Sequence, residues 1–121
     1  MEGYKIRIGR YGENLAAQFL ARNGVEIIDR NFYTRYGEID LIARLGDEIL
    51  FVEVKTRTGN DFGYPEEAVD SQKIKHLVKA IEIYLDNKRL SAFWRLDAIS
   101  VEINTSRKTA KIRWFKNLTS F

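Results

Sequence analysis

The sequence predicts an α/β protein in which two helices pack on a mixed five-stranded sheet. Two segments carry apolar residues at helical spacing, and five short runs are rich in β-branched and aromatic residues. Their order along the chain is helix, three strands, helix, two strands, an arrangement typical of a mixed sheet covered by helices. At 121 residues the chain has the length of one domain. We therefore expect a single domain over residues 1–121, without an internal repeat or linker.

The first helix is predicted from Gly9 to Asn23, and the pair Asn23-Gly24 is a favourable C-terminal stop. Glu13 lies at the margin of the apolar stripe of this helix, so its carboxylate can point toward the sheet. An acid in the first turn that interacts with the helix dipole is the competing interpretation of Glu13, and the helix pattern alone favours it. The stripe itself consists of Leu15, Ala16, Phe19 and Leu20.

Three strands in close succession predict an antiparallel meander after this helix. The first strand runs from Val25 to about Tyr33. The second and third strands lie on either side of Gly46-Asp47, which is the strongest turn signal in this part of the chain. A two-residue loop at this turn fixes which residues of the second and third strands face each other.

Charged residues interrupt the second and third strands of this meander. With the two-residue loop, Asp40 lies opposite Glu53. Glu38 likewise lies opposite Lys55, and all four side chains leave one face of the hairpin. Opposed carboxylates with Cβ atoms about 4.5–5.5 Å apart repel each other unless a cation lies between them. The other face is predicted to be apolar and consists of Ile39, Leu41, Ala43, Leu50, Val52 and Val54.

Two interpretations of the charged face compete. A solvated face with cross-strand salt bridges is the usual meaning of alternating charge in a strand. Ile42 and Phe51 interrupt the charged residues, however, and indicate that this face is also covered. Clustered acids with a lysine in a covered sheet are typical of functional sites. The hairpin therefore predicts a site built around a cation.

The second helix is predicted after Pro65, which begins a short helical turn, and either Asp70 or Ser71 caps its N-terminus. Its apolar stripe consists of Ile74, Leu77, Val78, Ile81, Tyr84 and Leu85. Outside the stripe lie Lys73, Lys75, His76 and Lys79, which form either a solvated face or a track for phosphates. We assign His76 to the surface, because one histidine among lysines is a poor metal-site signature.

The last two strands are predicted from Phe93 to Ile103 and from Lys111 to Phe115, with the turn between them at Asn104 to Lys108. The aromatic segment from Trp114 to Leu118 is expected to dock either on the body of the protein or on another subunit.

Composition and charge narrow the function classes. The chain has no cysteine, which excludes disulfides and cysteine nucleophiles, and we expect a cytoplasmic protein without a membrane segment. The net charge is +3, and committing three carboxylates to metal leaves the surface three units more positive. Such a surface suits a phosphate backbone, although a basic surface that only confers solubility explains the charge equally well.

The charged face has the residue types that phosphodiester hydrolysis requires. Hard divalent ions such as Mg²⁺ or Mn²⁺ bind carboxylates and activate water. We expect Asp40 and Glu53 to ligate the ion, together with the main-chain carbonyl of Val54. Glu13 binds a second ion or orients the attacking water. Lys55 holds that water or neutralises the phosphate in the transition state.

The motifs resemble two levels of known proteins. An Asp on one strand, Glu-X-Lys on the next and an acid on a preceding helix resemble the PD-(D/E)XK nuclease superfamily, which includes restriction endonucleases and archaeal Holliday junction resolvases. Over nearly the whole chain the sequence more closely resembles the bacterial YraN-like family. This second resemblance rests on Gly9 to Glu13, Arg30 to Phe32, Gly37 to Ala43, Phe51 to Arg57, Phe62 to Pro65, Glu67 to Val69, Lys73 and Arg95 to Asp97. It implies a restriction endonuclease-like core of the order α-βββ-α-ββ and strengthens the metal-site interpretation of Glu13.

The resemblance implies a metal-dependent DNA endonuclease, with branched, Holliday-junction-like DNA as one suggested substrate. A resolvase needs two active sites and hence a homodimer. Expected contacts with the nucleic acid come from Arg10, Arg57, Gln72 and Lys73. One alternative is a non-catalytic nucleic-acid-binding accessory protein in DNA recombination, repair or uptake, but such a binder has no need of carboxylates that repel phosphate. A further alternative is an interaction protein that keeps the ionic cluster for structural reasons.

Overall fold

A computed structural model describes residues 3–59 and 70–119 of the chain. The order of elements is the predicted one, and the fold is α/β with a mixed five-stranded sheet. The short helical turn expected at Pro65 lies outside the described residues. The elements are α1 (Tyr4–Arg22), β1 (Glu26–Thr34), β2 (Gly37–Leu45), β3 (Glu48–Gly59), α2 (Ser71–Asn87), β4 (Phe93–Asn104) and β5 (Thr109–Phe115).

Both helices end or begin near the predicted caps. Helix α1 ends at Arg22 with Asn23 as its C-cap, but it begins at Tyr4 rather than at Gly9. A glycine inside a helix costs only about 1 kcal/mol, which is too little to end the helix there. The N-cap of α2 is Asp70, whose carboxylate accepts a hydrogen bond from the Lys73 N–H at 2.8 Å.

The five strands lie side by side in chain order. Strands β1, β2 and β3 form the predicted antiparallel meander, and β5 is antiparallel to β4. Strand β4 runs parallel to β3, from Phe93 beside Glu48 to Asn104 beside Gly59. A parallel pair requires a crossover, and α2 provides it. Neither α1 nor α2 is long and apolar enough to cross a membrane.

The β2–β3 hairpin has the register that the two-residue turn predicts from Leu45 and Glu48 to Leu41 and Val52. The pairing ends there, so the predicted pair of Asp40 with Glu53 does not form. One part of the face assignment is wrong, because Ile39 packs with the α2 residues whereas Leu41 packs with α1. The alternation breaks at Asp40, whose carboxylate accepts the Val54 N–H at 2.7 Å.

Two apolar cores lie on the two faces of the sheet. Ile42 and Phe51 are fully buried under α2, which confirms that the sheet is covered at these two positions. Ala80 is also fully buried there, although the predicted stripe omitted it, and Val78 is only half-buried. The core under α1 includes Ala16, Ala17, Leu20, Leu41, Ala43, Leu50, Val52, Ile99 and Val101.

The C-terminal segment docks on the body of the protein through a buried acid. Asp97 is fully buried and accepts hydrogen bonds from Arg95 Nε at 3.0 Å and from Trp114 Nε1 at 2.8 Å. It also accepts the Asn117 N–H at 2.9 Å, and the Leu118 N–H bonds to a carbonyl of β4 at 2.7 Å. These bonds satisfy both Asp97 oxygens, so this carboxylate anchors the C-terminal segment.

Candidate metal centre

Three carboxylates meet at the margin of α1 and the start of β2. Glu13, Glu38 and Asp40 each offer an oxygen, and these oxygens lie within 4.8 Å of one another. Glu13 reaches the sheet because α1 lies very close to β3 at the preceding residue, Gly12. A Cβ at Gly12 would lie 1.8 Å from Thr56 Oγ1, so only glycine permits this approach.

Asn31 holds two of the three acids. Its Nδ2 donates hydrogen bonds to Glu13 Oε1, at 2.9 Å, and to Glu38 Oε1. Asn31 has a φ of 52°, a left-handed conformation that asparagine tolerates better than most residues. It stands between the β1–β2 pairs Arg30 with Leu41 and Phe32 with Ile39, directly across from the break at Asp40.

Sequence reasoning missed the part that Asn31 plays and did not propose Glu38 as a ligand. Glu38 was expected opposite Lys55, but its carboxylate accepts the Asn31 hydrogen bond and lies beside Glu13. The prediction that Glu38 and Lys55 form a facing pair of the hairpin is therefore wrong. A signal for Asn31 was present, because asparagine adopts a positive φ more readily than most residues.

Asp40 is the most strongly perturbed of these acids. Only 7% of its surface is exposed, and burial is the main reason that its pKa rises from 3.8 to about 8. The negative charge of Glu53 raises the pKa further, while the Val54 N–H opposes the rise. Asp40 is therefore largely protonated at neutral pH unless a positive charge binds beside it.

Glu53 lies deeper than an ordinary strand glutamate, with 13% of its side chain exposed. Its Oε1 is 3.6 Å from Lys73 Nζ, at the start of α2. Its Oε2 is buried and accepts no hydrogen bond from the residues that the structure describes. Burial raises the pKa of Glu53, and the Lys73 ammonium partly counteracts this effect. Glu53 thus keeps one carboxylate oxygen available for a cation.

Glu13 has the predicted orientation toward the sheet. It is half-buried, and burial raises the pKa of its carboxyl. The charge of Glu38 adds to this rise, whereas the hydrogen bond from Asn31 and the charges of Arg30 and Arg10 oppose it. The interpretation of Glu13 as a residue that interacts only with the helix dipole does not describe this environment.

Lys55 is exposed and lines a groove that also contains Glu13. Both residues therefore border the same groove. The charge of Lys55 also lowers the pKa of Glu53 against the effect of burial. Lys55 accordingly acts on the acids from the solvent side.

The four residues expected to contact nucleic acid lie in different environments. Arg10 is exposed on α1, while Arg57 is half-buried and its Nη2 bonds to Glu102 at 2.8 Å. Gln72 is exposed at the start of α2, where its amide lies 3.0 Å from the ring of His76. Lys73 is exposed at the start of α2, and its Nζ lies 3.6 Å from Glu53 Oε1.

The donor set fits a hard divalent cation. Glu13, Glu38, Asp40 and Glu53 offer only oxygen ligands, which Mg²⁺ and Mn²⁺ prefer over softer metals. Burial and repulsion between the acids raise the pKa values of Glu13, Asp40 and Glu53, and Glu53 Oε2 has no hydrogen-bond partner among the described residues, so positive charge beside the ionised acids would stabilise them. A bound divalent ion would supply that charge.

Fold and site together define an α/β protein with a cluster of carboxylates at the point where the side chains of β2 stop alternating between the two faces of the sheet. A family model described as "Uncharacterised protein family UPF0102" matches residues 12–101, a span that includes all four acids. The chain belongs to this family, which confirms the predicted resemblance to the YraN-like family.

Several relatives match over most of the chain. A UPF0102 protein of Clostridium tetani is 41% identical over 118 residues, which is 97% of each chain. One from Caldicellulosiruptor saccharolyticus is 39% identical over 114 residues, or 93% of this chain and 97% of the relative. One from Syntrophomonas wolfei is 55% identical over 78 residues, or 64% of this chain and 68% of the relative.

Proposed function

We propose that this protein is a metal-dependent endonuclease with a restriction endonuclease-like core that hydrolyses phosphodiester bonds of DNA. The observation that carries the proposal is that carboxylate oxygens of Glu13, Glu38 and Asp40 lie within 4.8 Å of one another. Glu53, whose charge acts on Asp40, adds a buried oxygen without a partner among the described residues. The implied cofactor is Mg²⁺ or Mn²⁺, because these ions bind carboxylates and promote phosphodiester hydrolysis.

The electrostatics of the cluster support a cation site over a purely structural cluster. A structural acid is paired, as Asp97 is with Arg95 and two further donors. Asp40 instead has Glu53 as its principal charged neighbour, and the two acids repel each other. Ionising both acids therefore lowers stability unless a cation binds between them.

In this proposal the four acids and Lys55 have different roles in hydrolysis. Asp40 and Glu53 would hold the ion, and Glu13 with Glu38 would complete the ligand set or orient the attacking water. When bound, the ion supplies Lewis acidity and lowers the pKa of water. Lys55 would place its ammonium beside the phosphate and stabilise the charge that develops there.

The proposed selectivity is for DNA shape. The sequence holds no helix-turn-helix or zinc-finger pattern that would read base edges. Arg10, Arg57, Gln72 and Lys73 are proposed to contact the sugar-phosphate backbone, which fixes position without reading sequence. A homodimer would let two sites reach the opposed strands of a branched, Holliday-junction-like substrate.

The test combines titration calorimetry with Mg²⁺ and Mn²⁺ and cleavage of linear, flapped and four-way DNA by the same preparations. The variant is Asp40→Asn/Glu53→Gln. A matched control is Asp47→Asn/Glu82→Gln, which removes the same charge at two exposed positions. We expect the site variant to lose both metal binding and cleavage, and the control to keep both.

Two other results would oppose the proposal. Cleavage that persists in the site variant would assign the chemistry to other residues. If the wild type binds DNA but neither binds metal nor cuts, the protein is a nucleic-acid-binding accessory protein on this scaffold.

A further inference from the structure

A groove opens beside the acidic cluster, between the first half of α1 and the end of β3. It has a volume of about 440 Å³. We call it the α1–β3 groove. Glu13 is one of its lining residues, so the groove adjoins the candidate metal centre. Its lining includes Tyr4, Lys5 and Glu13 from α1 and Lys55, Thr56 and Thr58 from β3.

The lining of the α1–β3 groove combines an aromatic residue, positively charged residues and hydroxyl groups. Tyr4 is 59% exposed and supplies an aromatic side chain to the lining. Lys5 and Lys55 are both exposed and supply positive charge along the groove. The hydroxyl groups of Thr56 and Thr58 are hydrogen-bonding groups. An aromatic surface together with cations along a groove is the arrangement that binds unpaired nucleotides.

The size of the groove favours a single strand over a double helix. Its volume is within the range of clefts that hold a small ligand, roughly 300–1,000 Å³. The tight contact of Gly12 with Thr56 joins α1 to β3. A DNA double helix, whose minor and major grooves alone are about 6 and 12 Å wide, is too wide to enter the α1–β3 groove and would lie across its opening. Only an unpaired strand brings a base against Tyr4 with its phosphates near the lysines.

We propose that the α1–β3 groove binds a single-stranded segment of nucleic acid, with a base stacked on Tyr4 and phosphates at Lys5 and Lys55. This inference rests on the proposed nuclease function and names its substrate class, a nucleic acid with an unpaired strand next to the cleavage point. Glu13 lines the groove, so a strand bound there would lie next to the candidate metal centre.

The chain offers a matched control on the same helix. Tyr11 is 53% exposed, close to the value for Tyr4, but it lines a different cavity beside Ile103 and Asn104. Arg7 is an exposed cation of α1 that is not among the residues lining the α1–β3 groove, and it serves as the control for Lys5.

The experiment measures binding by fluorescence anisotropy in EDTA, so that cleavage does not contribute. The probes are labelled oligothymidylate, oligouridylate and a duplex of equal length. We expect Tyr4→Ala to weaken single-strand binding by about 5-fold or more, because stacking on an aromatic residue contributes at least about 1 kcal/mol per base. Tyr4→Phe is expected to bind as the wild type does, and Tyr11→Ala to change affinity by less than about 2-fold.

A second variant keeps the test independent of the ring. Lys5→Ala should reduce the slope of log affinity against log salt by about 0.7 for the single strand, whereas Arg7→Ala should not. Circular dichroism confirms that each variant is folded. Loss of oligouridylate binding in Tyr4→Ala, with or without loss of oligothymidylate binding, also supports a single-strand groove and identifies whether ribose is accepted.

Other outcomes would overturn the inference. One is duplex binding that is as tight as single-strand binding and weakened equally by Tyr4→Ala. Another is Tyr11→Ala having the same effect as Tyr4→Ala. The nuclease proposal is separable, because single-strand binding without any Mg²⁺- or Mn²⁺-dependent cleavage of flapped DNA keeps the groove and rejects the nuclease. Cleavage of fully paired DNA that is unaffected by Tyr4→Ala keeps the nuclease and rejects the groove.

Discussion

The proton on Asp40 makes cation binding by the candidate metal centre strongly dependent on pH. Burial and the charge of Glu53 raise the pKa of Asp40 to about 8, so the acid holds a proton at neutral pH. A divalent ion requires the ionised carboxylate, and binding must therefore release that proton. The perturbation is a change of pH from 6 to 9 in the wild type and in Asp40→Asn.

The expected size of the effect follows from the ionised fraction of Asp40. With a pKa of about 8, roughly 1% is ionised at pH 6, about 9% at pH 7 and about half at pH 8. Affinity for Mg²⁺ or Mn²⁺ should thus rise about 10-fold from pH 6 to 7, about 5-fold from pH 7 to 8, and little above pH 9. The raised pKa values of Glu13 and Glu53 act in the same direction.

Titration calorimetry in buffers with different ionisation enthalpies measures both affinity and proton release. We expect close to one proton, about 0.9, to be released per ion at pH 7 by Asp40 alone. Asp40→Asn should bind the ion weakly and with a smaller pH dependence, because only the raised pKa values of Glu13 and Glu53 then contribute to it. Asp47→Asn, in the exposed turn after β2, should behave as the wild type does. Affinity that does not change between pH 6 and 8 would refute the assignment of the proton to this site.

The same proton affects stability in the absence of metal. Below about pH 4, Asp40 is protonated in both the folded and the unfolded chain, so folding carries no cost of ionisation. Between about pH 4 and 8 the unfolded chain has lost the proton and the folded protein keeps it, so the contribution of Asp40 to the free energy of unfolding decreases as pH rises. Saturating Mn²⁺ should reverse this decrease in the wild type and not in Asp40→Asn.

Three further predictions concern the residues around the acids. Gly12→Ala should destabilise the protein by about 1–3 kcal/mol in thermal unfolding and weaken metal binding, because its Cβ would overlap Thr56, and Thr56→Gly in the same chain should recover part of the loss. Asn31→Gly keeps the left-handed backbone but removes the amide that holds two acids, so Mn²⁺ affinity measured by calorimetry should fall about 10-fold. A loss of stability without a change in affinity would contradict the role of Asn31 in positioning the acids. Lys73→Ala removes the ammonium that competes with a metal ion for the Glu53 carboxylate, so calorimetry at pH 9 should show Mn²⁺ binding about 2- to 5-fold tighter. Unchanged affinity would indicate that the Lys73–Glu53 pair does not weaken cation binding.

Local signals in the sequence determined much of the fold and part of the site. Gly46-Asp47 fixed the hairpin register because a two-residue loop permits few alternatives, and the observed pairs follow it. Ile42 and Phe51 indicated a covered face because apolar residues do not interrupt a solvated strand without cost, and both are buried. The predicted start of α1 at Gly9 is wrong, because the cost of about 1 kcal/mol for a glycine inside a helix is too small to end the helix there, and α1 begins at Tyr4.

The remaining features depend on contacts that a periodic pattern does not contain. The positive φ of Asn31 and the bond from the Val54 N–H to Asp40 interrupt the alternation of β2, and this interruption places Ile39 under α2 and Glu38 beside Glu13. A rule of period two carries no information about such a break. The pairing of Glu53 with a lysine of α2 is likewise set by tertiary packing.

The central claim is that these acids hold a divalent ion that cuts phosphodiester bonds, and the most direct test is cleavage of a labelled flapped DNA across a titration of Mn²⁺. We expect cleavage that saturates with Mn²⁺ in the wild type and in Asp47→Asn/Glu82→Gln, and no cleavage in Asp40→Asn/Glu53→Gln. Equal cutting by the site variant, or none by the wild type at any Mn²⁺ concentration, would contradict it.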